Sequence, residues 1–332
     1  MRQKKRQTII LIIGFFILLT GCAQSTGQVS KEPEYVLRLG ITQNANNAEY
    51  KGLLQFKEAV EERTGFNILV ETYHSGQLAS VPDLVEQASI GASVGTISDA
   101  AMLGDMKKEF YMLQSPYLFE GKEEIEKLIE SPLFETWVEG FSEQGLRVLT
   151  FNYFLGERNL ATVSPILEAD DVKGNVIRTN GSQVVNLAME AMGASPSGMA
   201  WTEAYPGLQQ GVIDGVEAHS LAIYESSLYE VINHITKTNH YSLTSALIVS
   251  EKWFESLPEE YQEIVLEEAA RSGEYASKLA EQTAEEYEAL MEQKGVEFHV
   301  IDVEPLKEKV QNIYSRLGLE DTLEDVRKVV DE

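Results

Sequence analysis

The chain has 332 residues, of which 43% are hydrophobic and 24% are charged, a composition typical of one large globular domain or two smaller ones. Asp and Glu total 53 against 27 Lys and Arg. The resulting net charge of -26 argues against nucleic acid or an anionic membrane surface as the main partner. Because the chain has a single cysteine, Cys22, a disulfide-stabilised scaffold is excluded.

The first 21 residues predict an export signal. A basic segment at residues 2–6 precedes an apolar run at residues 9–19, which is shorter than the roughly 20 residues that a membrane-spanning helix needs. Residues 19–22, Leu-Thr-Gly-Cys, resemble the bacterial lipobox, in which the cysteine thiol is diacylated and becomes the N-terminus after cleavage. The alternative is a plain secretory signal with an unrelated cysteine. The position of the thiol at the expected cleavage site favours lipidation of Cys22.

Lipidation would tether the mature chain to the membrane. Two acyl chains give a stable anchor, because each buried CH₂ group contributes about 0.8 kcal/mol. Residues 1–21 contain four basic residues and no acidic ones, so their removal leaves a net charge of -30. Residues 22–34 lack hydrophobic periodicity and predict a flexible tether. We therefore expect a lipid-anchored protein on the extracytoplasmic face of the cell membrane.

The folded part begins with a βαβ unit. Residues 35–41 are rich in β-forming residues, residues 50–65 show helical spacing, and residues 67–73 form a second apolar run. This order predicts two parallel strands joined by a right-handed crossover. A helix at residues 83–88 then leads to a short strand at residues 93–98. Ligands bind at the carboxyl edge of such sheets, where these strands end.

A similar pattern recurs later in the chain. Residues 176–179 predict a strand, which is followed by helices at residues 184–192 and 202–210. Residues 212–216 then predict another strand. Two similar α/β lobes are therefore expected.

A long helix is predicted near the C-terminus. Residues 256–259, Ser-Leu-Pro-Glu, match a capping box, and no strong helix breaker except Gly273 occurs before Gly295. A helix at residues 258–294 would extend about 55 Å at 1.5 Å per residue, enough to cross both lobes. Gly273 is the natural site for a kink in it.

Motifs for cofactor or metal chemistry are missing. The sequence has no Walker-type phosphate loop, no G-x-G-x-x-G and no H-E-x-x-H. The five histidines are scattered along the chain. We therefore expect no metal ion, no cofactor and no covalent catalysis.

The most informative pattern lies in residues 145–220. Residues 173–178 are Lys-Gly-Asn-Val-Ile-Arg, residues 199–205 are Met-Ala-Trp-Thr-Glu-Ala-Tyr, and residues 211–217 are Gly-Val-Ile-Asp-Gly-Val-Glu. This order resembles the DctP-like substrate-binding proteins of tripartite ATP-independent periplasmic (TRAP) transporters, which are receptors for organic acids. Further segments fall in the order expected for this family: 49–51, 75–78, 115–117, 193–196 and 254–258.

The resemblance implies an α/β, two-lobed periplasmic-binding-protein-like (Venus-flytrap) fold with a long helix spanning both lobes. Lobe I would comprise residues 35–154 with residues 244–284, and lobe II residues 155–243 with residues 285–332. The protein would be a monomeric receptor and not an enzyme. It would capture a small organic acid and deliver it to integral membrane subunits of a TRAP permease.

The resemblance also assigns residues to ligand binding. The family arginine that forms a two-pronged salt bridge with the ligand carboxylate matches Arg178, and a second family arginine matches Arg158. A guanidinium fork fits a carboxylate bidentately and keeps its charge when buried. The alternative for each arginine is a structural ion pair. Trp201 matches an aromatic residue that packs against the ligand, with burial in the core as its alternative role.

The resemblance gives less specific expectations for the remaining ligand contacts. Many family members have Glu-Asn-Pro after the Asp-Gly pair, whereas this chain has Glu217, Ala218 and His219. The usual amide contact is therefore missing, and the ligand's identity stays open among dicarboxylates, uronates, aldonates, sialic acid and 2-oxo acids. Glu217 and His219 are expected to belong to the ligand-binding residues. Residues near segments that line the lobe I wall of the site are Thr42, Gln77, Ser98, Tyr117 and Tyr153.

Two other functions remain open from the sequence. The chain could be a ligand-sensing lipoprotein that reports an organic acid to a membrane receptor kinase. It could also be a surface hydrolase, which the lack of a recognisable set of nucleophile and base disfavours. A neighbouring gene for multispan permease subunits would argue against the sensor, and turnover by the purified protein would support the hydrolase.

Overall fold

The computed structural model describes residues 32–331. The predicted export signal, the lipidation site Cys22 and all but the end of the tether therefore lie outside the described residues. No helix within residues 32–331 combines the length and the apolar character that a membrane crossing requires.

The strands form two separate sheets. The first sheet has five strands in the order β2-β1-β3-β10-β4, and the second has six in the order β11-β9-β5-β8-β6-β7. The strands of the described part are β1 (Tyr35–Gly40), β2 (Ile68–Tyr73), β3 (Val94–Asp99), β4 (Leu146–Glu157), β5 (Asn159–Thr162), β6 (Val176–Thr179), β7 (Ser195–Gly198), β8 (Gly215–Ala218), β9 (His234–Lys237), β10 (Ser242–Ser250) and β11 (Glu297–Val300).

Five strands of the second sheet repeat the arrangement of the first, and β11 is an additional edge strand parallel to β9. In the first sheet, β1 is parallel to β2 and β3, and β10 is antiparallel to β3 and β4. In the second sheet, β6 is parallel to β7 and β8, and β5 is antiparallel to β8 and β9. The predicted βαβ unit and the two similar α/β lobes are confirmed. The strand predicted at residues 212–216 begins later, at Gly215.

Helices connect and cover these strands. The helices of the described part are α1 (Ala48–Arg63), α2 (Val81–Ser89), α3 (Ala100–Gly104), α4 (Lys122–Ile129), α5 (Pro132–Glu139), α6 (Gln183–Met192), α7 (Ala204–Gln209), α8 (Ser220–Glu225), α9 (Glu251–Glu255), α10 (Glu259–Gln293), α11 (Glu304–Val310), α12 (Ile313–Leu317) and α13 (Glu320–Asp331).

The two faces of the first sheet pack into different apolar clusters. Leu39 of β1 lies in one cluster with Phe56 of α1 and Val265 of α10, and all three are fully buried. Ile248 of β10 lies in the other cluster, with Phe110. Because successive side chains of a strand point to opposite faces, both faces of this sheet can be buried at once.

The chain crosses between the sheets twice before its long helix. It leaves the first sheet at Glu157, enters the second at Asn159, and returns between Lys237 and Ser242. We propose these crossings as the lobe boundaries, close to the expected 154/155 and 243/244.

The C-terminal helix α13 departs from the expected lobe assignment. Residues 285–332 were expected to lie with the second lobe, but α13 packs against α4, which lies on the side of the first sheet. Val326 of α13 and Leu128 of α4 are fully buried in the same apolar cluster. Burial of this amphipathic face explains why the end of the chain returns to the first sheet.

The predicted long helix is confirmed as α10, which runs for 35 residues without interruption. It packs against β4 and α1 on the side of the first sheet, and against α8, which follows β8 of the second. Its last turn places Met291 in an apolar cluster with Ile235 of β9. The helix therefore contacts the elements of both sheets.

Gly273 serves a close approach in α10. A Cβ atom at this position would lie 1.8 Å from Oδ1 of Asn152 on β4. The Asn152 side-chain amide donates a hydrogen bond of 2.8 Å to the carbonyl oxygen of Ala270 in the same helix. The glycine thus allows the strand to contact the helix. The sequence suggested a kink at Gly273, but α10 is continuous there.

Replacing Gly273 with alanine is therefore expected to destabilise the fold. The added methyl group would displace the Asn152 amide, and overpacking of this kind typically costs about 1–3 kcal/mol. The free energy of unfolding in urea measures the effect. The control is Glu274→Ala, an exposed position of the same helix, for which we expect a change within about 0.5 kcal/mol. Equal stability of the two variants would contradict the close-approach role of Gly273.

Candidate functional site

A cavity of about 630 Å³ is lined by residues from both sheets and their connections. Asp99 ends β3, Asn180 follows β6, and His219 follows β8, so these residues lie at the carboxyl ends of parallel strands. This is the sheet edge at which the sequence predicts a ligand site. The charged or titratable lining residues are Glu49, Asp99, Arg158, Arg178 and His219.

A buried ion pair lies beside this cavity. Arg158 follows β4, and its Nε donates a hydrogen bond of 2.6 Å to Oε2 of Glu217 on β8. Nη2 of Arg158 lies 2.5 Å from Oε1 of Glu217 and donates to the Glu217 carbonyl oxygen at 2.6 Å. The hydroxyl of Tyr241 donates to Oε2 of Glu217 at 3.0 Å. The positive charge of Arg158 is therefore balanced by Glu217 within the protein.

The surroundings of this pair fix its charge state. Burial alone would lower the pKa of Arg158, but the negative charge of Glu217 and the Tyr241 phenol outweigh it and raise that pKa. Nη1 of Arg158 lies 3.4 Å from Nδ1 of His219. Burial and the charge of Arg158 lower the pKa of His219 to about 3, so the imidazole is neutral at neutral pH.

In the described part of the chain, Arg178 on β6 lacks such a counter-ion. Its Nε and Nη2 donate to the carbonyl oxygen of Met199, at 3.0 and 2.8 Å. Its guanidinium carbon lies 5.1 Å from the ring centroid of Trp201. Within residues 32–331 no carboxylate forms a salt bridge with it, although the side chain is buried. Burial lowers the pKa of Arg178 to about 10, which leaves it charged at neutral pH.

The buried carboxyl group of Glu49 and the half-buried one of Asp99 line the side of the cavity that belongs to the first sheet. Glu49 lies in the first turn of α1, and burial together with the charges of Asp99 and Glu225 raises its pKa to about 8. Burial also raises the pKa of Asp99, which is opposed by hydrogen bonds from the Met102 backbone and the Asn180 amide. The cavity therefore combines acidic groups on one side with arginines on the other.

Side-chain amide groups connect the two sides of the cavity by hydrogen bonds. Nδ2 of Asn180, after β6, donates to Oδ2 of Asp99 at 3.0 Å. Nδ2 of Asn47, the N-cap of α1, donates to Oε2 of Glu225 in α8 at 2.8 Å. These contacts join elements of the first and the second sheet around the cavity.

The structure brings several of the predicted site residues together and places others elsewhere. Arg178, Arg158, Trp201, His219 and Thr42 line the cavity. Glu217 does not line it, but its carboxylate holds Arg158.

The remaining predicted residues are not among those that line the cavity. Gln77 is exposed in a turn, and the Tyr117 hydroxyl donates to the Thr238 carbonyl oxygen at 3.2 Å. The hydroxyl of Tyr153 is buried 2.7 Å from Oγ of Ser272. Ser98 is buried in β3, where its hydroxyl has no hydrogen-bond partner within the described residues. Its neighbour Asp99 faces the cavity instead, because side chains of a strand alternate between faces.

The sequence motifs did not point to four polar residues that line the cavity: Glu49, Asp99, Asn180 and Ser245. Asp99 and Ser245 are register partners on β3 and β10, so both reach the same edge of the sheet. Asp99 could have been found as the polar residue that ends a strand. The placement of Ser245 depends on a strand pair that joins residues far apart in the sequence.

The structure clarifies two further sequence features, a short serine motif and the positions of the histidines. Residues 91–95, Gly-Ala-Ser-Val-Gly, match the G-x-S-x-G pattern of a hydrolase nucleophile elbow. Ser93, however, precedes β3 rather than lying in a turn between a strand and a helix. The histidines are also not all scattered, because His234 and His299 approach each other on β9 and β11, outside the cavity lining.

Comparisons with known proteins agree with this fold. Residues 39–321 match the model of the bacterial extracellular solute-binding protein family 7. A TRAP periplasmic solute-binding protein from Escherichia fergusonii in an apo open structure is 33% identical, with a TM-score of 0.79 over 89% of this chain and 99% of that one. One from Ochrobactrum anthropi with bound L-fuconate is 27% identical, with a TM-score of 0.86 over 90% and 99%.

A relative with a stated ligand class points to the same family. The C4-dicarboxylate-binding periplasmic protein DctP of Rhodobacter capsulatus is 28% identical over 76% of this chain and 77% of that protein. The matched region contains both sheets and the cavity, and members of the family are solute-binding components of transport systems rather than enzymes. The chain therefore belongs to family 7 of the bacterial extracellular solute-binding proteins, the family of TRAP receptors.

Proposed function

We propose that this protein captures a small organic acid whose carboxylate binds Arg178. The observation that carries the proposal is a buried guanidinium at a 630 Å³ cavity, with no carboxylate partner in residues 32–331. A buried charge without a counter-ion is costly, and an anionic ligand would remove that cost. Trp201, whose ring lies beside the guanidinium, would pack against the same ligand.

Arg158 and His219 would assist Arg178. Glu217 already balances the charge of Arg158. We therefore assign Arg158 to positioning the ligand, with one hydrogen bond donated to it from Nη1. His219 accepts from Arg158 at Nδ1, which leaves the proton on Nε2, and that atom is buried without a hydrogen-bond partner in the described part. His219 Nε2–H would thus replace the amide donor that the family usually supplies at the position of Ala218.

The acidic side of the cavity favours a hydroxylated monocarboxylate. Asp99 and the neutral Glu49 would both form hydrogen bonds with ligand hydroxyl groups. A second ligand carboxylate near an ionised Asp99 would be repelled. The O. anthropi relative with bound L-fuconate supports an acid sugar. A C4-dicarboxylate is the second candidate, which the R. capsulatus relative supports.

The pH dependence of stability tests the environment of Glu49. The folded protein holds a proton on Glu49 up to about pH 8, whereas the unfolded chain releases it near pH 4.5, so the stabilising contribution is lost as pH rises between these values. Asp99, Glu225 and Arg158 are the charged groups that act on it. As pH rises from 5 to 9, the unfolding free energy of the wild type should therefore fall. The fall should be about 2–5 kcal/mol smaller for Glu49→Gln, which has no proton to release at this position.

Urea unfolding at several pH values measures this difference. Glu58→Gln, at an exposed position of the same helix, is the control and should follow the wild type. A pH profile of Glu49→Gln that coincides with the wild type would contradict the assignment of Glu49 as a buried, neutral group.

We further propose delivery of the ligand to the membrane subunits of a TRAP permease by a monomeric, lipid-anchored receptor. Hinge closure around the ligand would present the loaded form. The contacts Asp99–Asn180 and Asn47–Glu225 across the cavity support closure. The higher TM-score to the L-fuconate-bound relative than to the open one supports it as well. The alternative is a sensor that reports the acid to a receptor kinase, and loss of uptake after deletion of adjacent permease genes would discriminate against it.

The experiment for the ligand class is a thermal-shift screen of the purified mature protein. The panel holds uronates, aldonates, sialic acid, 2-oxo acids and dicarboxylates. A ligand at 100 times its Kd stabilises the folded state by about 2.7 kcal/mol. We expect the largest shift from an aldonate or a uronate, and a larger shift from a C4-dicarboxylate would support the second candidate.

A further inference from the structure

Three metal-ligating side chains converge on the second sheet, away from the cavity. Nδ1 of His234 lies 3.1 Å from Nε2 of His299. Oε2 of Glu297 lies 3.6 Å from Nδ1 of His234 and 3.9 Å from Nε2 of His299. Among the residues that the structure describes, this is the one group of three His, Cys, Asp or Glu residues whose ligand atoms all lie within 4.8 Å of one another.

The strand register explains why these residues meet. β9 and β11 are parallel, and His234 pairs directly with Glu297. His299 lies two residues further along β11, so its side chain points to the same face of the sheet as that of Glu297. The three side chains are therefore placed by the backbone of two neighbouring strands and not by a loop.

The spacing of the three atoms fits a small tetrahedral ion. Zinc binds histidine nitrogen at about 2.0–2.1 Å and carboxylate oxygen at about 2.0–2.2 Å, so two ligands of one tetrahedral ion are about 3.3 Å apart. The two nitrogens already lie near this separation. Glu297 would need a shift of a few tenths of an ångström, and its side chain is 69% exposed.

We propose that His234, His299 and Glu297 bind one divalent cation of the zinc class, with water completing the coordination. Two imidazoles and a carboxylate are ligands that zinc, copper and nickel accept, whereas Mg²⁺ prefers oxygen ligands. The histidine side chains are 15% and 18% exposed, so they are largely shielded from solvent. An ion could approach from the side of the exposed Glu297 carboxylate.

A bound ion would tie the edge strand to the sheet. β11 has four residues and, in the described part, pairs only with β9. The ion would link β11 to β9 through side chains, in addition to the backbone hydrogen bonds. Without an ion, one nitrogen would donate to the other in a hydrogen-bonded histidine pair, and this is the alternative that the experiment must distinguish.

The test is a calorimetric titration of Zn²⁺ into the mature protein without a histidine tag. We expect one Zn²⁺ per chain and no response to Mg²⁺. His234→Gln and His299→Gln should each weaken Zn²⁺ binding at least about 100-fold, and Glu297→Gln about 10-fold. The control is His74→Gln, a histidine outside the cluster, which should bind Zn²⁺ like the wild type.

Thermal unfolding supplies the second readout. Saturating Zn²⁺ should raise the melting temperature of the wild type and of His74→Gln by a few degrees, and should leave His299→Gln unchanged. Glu297 is exposed, so Glu297→Gln should fold even if a histidine variant does not. The absence of saturable Zn²⁺ binding in the wild type, or equal affinity of Glu297→Gln and wild type, would overturn the proposal.

Discussion

Arg178→Ala is expected to weaken binding of the acid ligand by about 30-fold to several thousand-fold, because removal of one partner of a buried charge pair costs about 2–5 kcal/mol. Within residues 32–331 the buried guanidinium has no carboxylate partner that its removal would leave unpaired, so the loss should appear in ligand affinity rather than in folding. Arg178→Lys should also bind poorly, since lysine keeps the charge but loses the planar fork. Isothermal titration with the ligand found in the screen measures both variants.

The control for this experiment is Arg38→Ala. Arg38 forms an exposed ion pair with Glu71 on the first sheet, with 2.9 Å between Nε and Oε2, outside the cavity lining. Its removal changes the net charge as Arg178→Ala does and should leave the affinity unchanged. If folded Arg178→Ala bound an identified acid with wild-type affinity, the carboxylate would bind elsewhere and Arg158 would be tested next.

Glu217→Ala is expected to destabilise the fold by about 3–5 kcal/mol, because it leaves the charge of Arg158 buried without its partner. Tyr241 would lose its hydrogen-bond acceptor at the same time. The control is Glu71→Ala, which breaks the exposed pair with Arg38 and should cost at most about 1 kcal/mol. Urea unfolding of both variants measures the difference, and equal destabilisation would contradict the role of Glu217 as the buried counter-ion.

Much of the fold follows from local sequence signals. The apolar runs at 35–41 and 67–73 and the helical spacing between them predict the βαβ unit, which the structure confirms. The lack of breakers before Gly295 predicts the length of α10, but the expected capping box does not form, because the N-cap is Pro258 and no side chain caps it. Ser256 instead donates to the carbonyl oxygen of Trp253. Gly273 shows the limit of this reasoning. A glycine is needed there because Asn152 approaches from a strand that is distant in the sequence.

The candidate site was less accessible from the sequence. The motif around Arg178 and Trp201 identified residues that line the cavity, but Ser98 was chosen where its neighbour Asp99 faces the cavity. A strand must be placed within one residue to assign its faces, and sequence patterns do not reach that accuracy. The Arg158–Glu217 pair joins residues 59 positions apart and depends on pairing between strands.

The most direct test compares each acid of the screen with its own carboxamide in calorimetric titrations of the wild-type protein. The carboxamide keeps the size and the hydroxyl groups of the ligand and removes the negative charge. If Arg178 holds the ligand carboxylate, the acid that binds should lose at least about 30-fold in affinity as the carboxamide. Equal affinity for the acid and its carboxamide would contradict the account of this protein as a receptor for organic acids.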